Sequence, residues 1–70
     1  MHTVRTKEEL AKAIVLNHHP LIHVEDKALA RALITKDSAC RIVYRMAAQC
    51  GYSMRVLRCL GVFDVSFYKK

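Results

Sequence analysis

The chain has 70 residues and a mass of 8.0 kDa, with 53% hydrophobic and 26% charged residues. A chain of this length has room for one domain, and it buries only about 60% of the surface that its unfolded form exposes. The composition excludes a disordered tail, a collagen-like repeat and a solvated linker.

In chain order, His2 to Arg5 is short and tolerant of a β conformation. Thr6-Lys7-Glu8-Glu9 matches a capping box, in which a hydroxyl and a carboxylate reciprocally satisfy the first free amides of a helix. The spacing therefore predicts a helix from Lys7, with Leu10, Ala13 and Ile14 on its apolar face. Asn17-His18-His19-Pro20 ends it, because proline disfavours helix at the residue before it. Leu21-Ile22-His23-Val24 reads as a strand with burial on both sides or as a short central strand. Asp26 can cap a second helix lined by Ala28, Leu29, Ala32 and Leu33.

Thr35-Lys36-Asp37-Ser38 is the next polar punctuation. Either the helix breaks there and restarts under an Asp37 or Ser38 cap, or one rod runs from Lys27 to Gln49. A rod of about 23 residues would reach roughly 35 Å, longer than a domain of this size is wide, so the break is expected. Gly51 stands where a left-handed helix end is wanted, Ser53 can cap a helix from Met54 to Leu60, and Gly61 can end that helix. Val62 to Tyr68 reads as a strand, with Phe63, Val65 and Phe67 alternating with Asp64 and Ser66.

The expected fold is thus a small single α+β domain. It starts β-α-β, continues with two or three helices, and ends in a strand that joins a small sheet with the first two. The expected core is Leu10, Ile14, Ile22, Val24, Leu29, Leu33, Val43, Ala47, Leu57, Leu60, Val65 and Phe67.

Residues 46–60 resemble a helix-turn-helix. Ala47 is the small residue at the helix crossing, Gly51 four positions later takes the turn, and Met46, Cys50, Tyr52, Leu57 and Leu60 are apolar anchors. The second helix would then turn Met54, Arg55, Arg58 and Cys59 outward. The expected nucleic-acid contacts are Arg45, Ser53, Arg55 and Arg58, the last two on adjacent turns. The same residues also fit a plain helical corner, and the likeness points to no family.

Charge bears on the same question. Twelve Lys and Arg against six Asp and Glu leave +6. Through Thr35 five Lys and Arg oppose four Asp and Glu, and from Lys36 onward seven oppose two. A polyanion would meet the second half first.

Other chemistry is thinly supported. Cys40, Cys50 and Cys59 form no C-x-x-C pair and read as reduced, small apolar residues. His18, His19 and His23 lie close in sequence, but four zinc ligands do not assemble around them. No thiol is visibly activated, and Gly51 and Gly61 alone make no phosphate loop. Glu8, Glu9, Glu25, Asp26 and Asp37 fall at helix starts, and Asp64 shares the polar side of its strand with Ser66. No catalytic residue, cofactor, metal or small-molecule substrate is expected. No stretch approaches the eighteen or so apolar residues of a spanning helix, so no membrane partner and a cytoplasmic location are expected.

The second functional reading is a protein-interaction or self-assembling module, with no nucleic-acid role. The chain concentrates aromatic rings near its end, and an end strand with free amides can add to another sheet. Its expected interface is Phe63, Val65, Phe67 and Tyr68, with Lys69 and Lys70 discouraging indiscriminate pairing. A homodimer or another protein would supply the missing surface.

Overall fold

A computed structural model describes residues 2–70, the side chain of Cys59 excepted. The elements are β1 (His2–Val4), α1 (Lys7–Leu16), β2 (Leu21–Val24), α2 (Lys27–Ile34), α3 (Arg41–Gln49), β3 (Tyr52–Cys59) and β4 (Val62–Lys69), with a single 3-10 turn at Ser38–Cys40 before α3. The four strands form one mixed sheet in the order β1-β2-β4-β3, in which β1 and β2 run parallel and the other neighbours antiparallel.

The helix boundaries follow from local chemistry. The Glu9 amide donates to Thr6 Oγ1 at 3.1 Å and the Thr6 amide donates to Glu9 Oε1 at 3.2 Å, which completes the capping box of α1. Asn17 closes that helix in the left-handed conformation, at φ +57, where an Asn is tolerated better than most residues. Asp26 caps α2 by accepting from the Leu29 amide at 2.9 Å. Asp37 accepts from the Ala39 amide at 2.9 Å and opens the 3-10 turn. The helical middle therefore breaks where the polar cluster predicts, and there is no continuous rod.

Register explains why one face of the sheet is covered. Val4, Val24, Val65 and Val56 lie on one rung, and His2, Ile22, Phe67 and Met54 on the next. Directly opposed residues on neighbouring strands point to the same face, and these two rungs include the buried residues of β1, β2 and β4. The three helices pack over them. Leu10, Ala13 and Ile14 of α1, Leu29, Ala30 and Leu33 of α2, and Val43 and Ala47 of α3 close the core.

The other face carries Thr3, His23, Ser66 and Arg55 on one rung and Leu21, Tyr68 and Ser53 on another. None of these is buried.

One expected element has the wrong type. Residues 52–59 form β3 rather than the second rod of a helix-turn-helix. Gly51 does take the left-handed turn, at φ +83, but it passes α3 into an extended strand. Tyr52, Met54 and Val56 then alternate toward the core, a period of two that competes with the helical spacing of Leu57 and Leu60. Ser53 accordingly caps no helix and lies within the strand. Two of the expected core residues are displaced with it: Leu57 and Leu60 are exposed, and Val4, Ala13, Ala30, Cys40 and Tyr52 are buried in addition to the rest.

Candidate functional site

A strand sends successive side chains to opposite faces, so the two central arginines separate. Arg55 shares a rung with Ser66 on the uncovered face, and its guanidinium lies 5.5 Å from the centre of the Tyr68 ring. Arg58 is paired with Phe63 on the helix-facing side and lies 5.2 Å over that ring. They form no common ridge. Of the four expected nucleic-acid contacts, only Arg45 keeps a helical setting, exposed on α3 one turn after the equally exposed Arg41. Cys59, expected to point outward, has a side chain outside the described residues.

The expected protein interface is also redistributed. Val65 and Phe67 are buried in the core, so they cannot meet a partner, whereas Phe63 and Tyr68 are partly exposed. Moreover β4 is not an edge: it lies between β2 and β3 and is hydrogen-bonded on both sides. Its apolar alternation is what an interior strand needs on its covered face. Among the described residues the long unpaired edge belongs to β3.

That edge has a definite polarity. The Lys70 amide donates to the Gly51 carbonyl at 3.1 Å, so Gly51 directs its backbone groups toward β4. Alternation along an antiparallel ladder then points the groups of Ser53, Arg55 and Leu57 at β4, and those of Tyr52, Met54, Val56 and Arg58 away from the sheet. Among the described residues no strand pairs with that outer side. Met54 and Val56 are packed against the core but only partly buried, since β3 is the last strand under the helical layer.

At the far end of the same hairpin, Leu60 and Gly61 form a two-residue turn between the paired Cys59 and Val62. Both central residues have positive φ, +52 at Leu60 and +78 at Gly61, which is a type I′ turn and matches the twist of the flanking strands. Around it the exposed fractions are 55% for Leu57, 98% for Leu60, 55% for Val62 and 41% for Phe63. A cleft of about 190 Å³ opens beside the turn, lined by Lys27, Ala30 and Arg31 of α2 and by Gly61, Val62 and Phe63.

The histidines do not gather. The His19 ring stacks on His2, with centroids 4.0 Å apart and planes 4° from parallel. Desolvation there, reinforced by the positive charges of His2 and His18, lowers the His19 pKa from its usual 6.5. His23 sits on the uncovered face, its Nε2 3.5 Å from Asp64 Oδ1. Among the described residues no group of three His, Cys, Asp or Glu is placed to hold a metal ion. Burial raises the thiol pKa of Cys40, with Asp37 adding to the effect, and a thiol so shifted is a poorer nucleophile.

The free edge and the hairpin turn are the features that sequence reasoning missed. A detectable signal existed: two apolar-alternating segments, Tyr52–Cys59 and Val62–Lys69, are separated by two residues ending in glycine, which is the spacing of a tight hairpin. Leucine, rarely left-handed, stands where asparagine usually marks such a turn. Comparison with protein-family models, with curated proteins and with solved structures finds no match.

Proposed function

We propose that the protein is a non-enzymatic assembly module in which two copies join through the outer edge of β3. The observation that carries this reading is that unpaired edge, eight residues long and so about 27 Å at the usual rise per residue. An edge of that length with outward amides and carbonyls is a template for another strand. The opposite edge of the sheet, β1, has only three residues and makes a poor one.

An antiparallel pair of β3 strands is two-fold symmetric. Hydrogen bonding requires outward-pointing residues to oppose each other, which a register centred on Val56 satisfies. Val56 then meets Val56 of the second copy and Met54 meets Arg58, while Arg55 lies beside Leu57. No arginine is placed directly opposite an arginine, where like charges would oppose pairing. The half-covered Met54 and Val56 gain neighbours from the second sheet.

Each copy carries +6, so long-range repulsion opposes the encounter and salt screens it. Association should therefore strengthen as salt rises. Sedimentation equilibrium should give twice 8.0 kDa at high protein concentration. Val56→Pro places proline where the amide points outward and donates to no group among the described residues, a position that an edge strand tolerates. That variant should remain folded and monomeric. Leu57→Lys, an exposed change that adds charge beside Arg55 of the second copy, should weaken the dimer without unfolding the chain. A wild type that stays at 8.0 kDa at every concentration, or variants that dimerise equally well, would refute the assembly.

A second reading, attraction of a nucleic acid, rests on the net charge and on the Arg41–Arg45 pair exposed on α3. Retardation of duplex DNA or RNA at low salt that weakens in Arg41→Ala/Arg45→Ala would support it. Retardation unchanged by that pair of substitutions would remove it.

A further inference from the structure

We infer that the tip of the β3–β4 hairpin is a contact site for an anionic phospholipid bilayer, with Leu60 and its apolar neighbours entering the interface and Lys27, Arg31 and Arg58 meeting lipid phosphates. The first ground is the identity of the residue at the apex. Leu60 is almost fully exposed and takes a left-handed conformation, at φ +52. Folding gains nothing from it, because it buries no apolar surface and strains the backbone where Asn or Gly would not. Leu57, Val62 and Phe63, all exposed, continue the apolar surface just behind it.

The second ground is the order in which charge follows the apolar apex. Arg58 lies over the Phe63 ring at 5.2 Å. Lys27 and Arg31, one helical turn apart on α2, line the cleft of about 190 Å³ whose other wall is Gly61, Val62 and Phe63. Among the described residues, none of these three cations has a carboxylate within 4.0 Å.

Three carboxylates lie on the adjoining cleft: Glu25 is paired with Arg5 at 3.6 Å, Asp26 accepts from the Leu29 amide at 2.9 Å and keeps its charge, and Asp64 lies 3.5 Å from His23, an ion pair only when that imidazole is protonated. A bilayer presents an anionic layer over an apolar one, so an apolar apex backed by free cations complements it in sequence. A net charge of +6 adds long-range attraction to the same surface.

No described helix is long and apolar enough to cross a membrane, but surface contact requires no crossing. The expectation of no membrane partner rested on spanning helices alone. The contact shares Arg58 with the β3 edge but does not require that edge to pair. Antiparallel pairing places the two tips at opposite ends of a dimer, so one tip of one copy suffices.

The test is flotation of the full chain with phosphatidylcholine vesicles, with and without phosphatidylserine. The chain should float with the anionic vesicles only, and release as salt rises. Leu60→Asn should weaken flotation at least about tenfold, consistent with withdrawing one large apolar side chain from the interface, while melting at a higher temperature than the wild type. Loss of binding is thereby separated from loss of fold. Lys27→Ala and Arg31→Ala should each weaken it about fivefold, as expected for one basic residue near an anionic surface.

Leu60→Trp should show a blue-shifted emission on anionic vesicles, quenched by brominated lipid. No flotation with anionic vesicles would overturn the inference. So would flotation that survives Leu60→Asn, or a tryptophan at position 60 that brominated lipid does not quench, since charge alone would then account for adsorption. The Val56→Pro variant should float like the wild type, which separates a failure of the tip from a failure of edge pairing.

Discussion

Leu60→Asn should stabilise the fold, and the structure supplies the magnitude. Leu60 has a positive φ of +52 and an exposure of 98%, so replacing its side chain sacrifices almost no packing. A left-handed conformation costs most L-residues about 1–2 kcal/mol, and asparagine suffers less because its short polar side chain bonds locally. The first central position of a type I′ turn is also where Asn-Gly is most favoured. A net gain of about 0.5–1 kcal/mol follows, which in a domain of this size corresponds to a rise in Tm of roughly 2–8 °C. Thermal unfolding followed by far-ultraviolet circular dichroism reads it directly. Gly61→Ala is the control in the opposite direction: no atom would crowd an added Cβ, yet φ is +78, so backbone strain alone should lower stability by about 1 kcal/mol. An Asn variant that melts below the wild type would refute the reasoning, because it would mean that the leucine side chain supports the fold.

Two tyrosines should respond differently to loss of the hydroxyl. Tyr52 is buried and its hydroxyl donates to the His19 carbonyl at 2.6 Å, tying β3 to the turn after α1; Tyr52→Phe should cost about 1 kcal/mol in denaturant unfolding. The Tyr44 hydroxyl is buried without a hydrogen-bond partner among the described residues, so Tyr44→Phe should be neutral or stabilising, and a clear loss would show that it has a partner. The lowered pKa of His19 means that the unfolded chain binds more protons near and below the ordinary value of 6.5. Stability from this source is therefore present above that pH and is lost as pH falls. Melting temperature should begin to drop as pH falls through the ordinary value of 6.5, and His19→Gln should flatten the drop; an unchanged slope would exclude the stack as its cause.

The parts of this fold that could be read from sequence are those set by local chemistry. Thr6 and Glu9, Asp26, and Asp37 each announce a helix start through a side chain that satisfies nearby amides, and each does so in the structure. Gly51 likewise needs only its own backbone freedom. Tyr52 to Cys59 is different. Its apolar residues fit a period near 3.6 through Leu57 and Leu60, and a period of two through Tyr52, Met54 and Val56. Only pairing with β4, a contact invisible to local spacing, selects the second. That one choice decides the site: it sends Arg55 and Arg58 to opposite faces, turns β4 from an edge into an interior strand, and buries Val65 and Phe67. Phe63 and Tyr68 remain accessible because they occupy, respectively, the distal end of the covered face and the open face.

Amide hydrogen exchange along β3 reports on edge pairing residue by residue, because neighbouring amides on one strand serve as each other's controls. Ser53, Arg55 and Leu57 direct their amides toward β4 and should be protected at every protein concentration. Met54, Val56 and Arg58 should exchange freely in dilute protein and become protected as concentration rises and the edges pair. Exchange at those three amides that stays fast at the highest concentration would contradict assembly through this edge, as would protection that persists at infinite dilution.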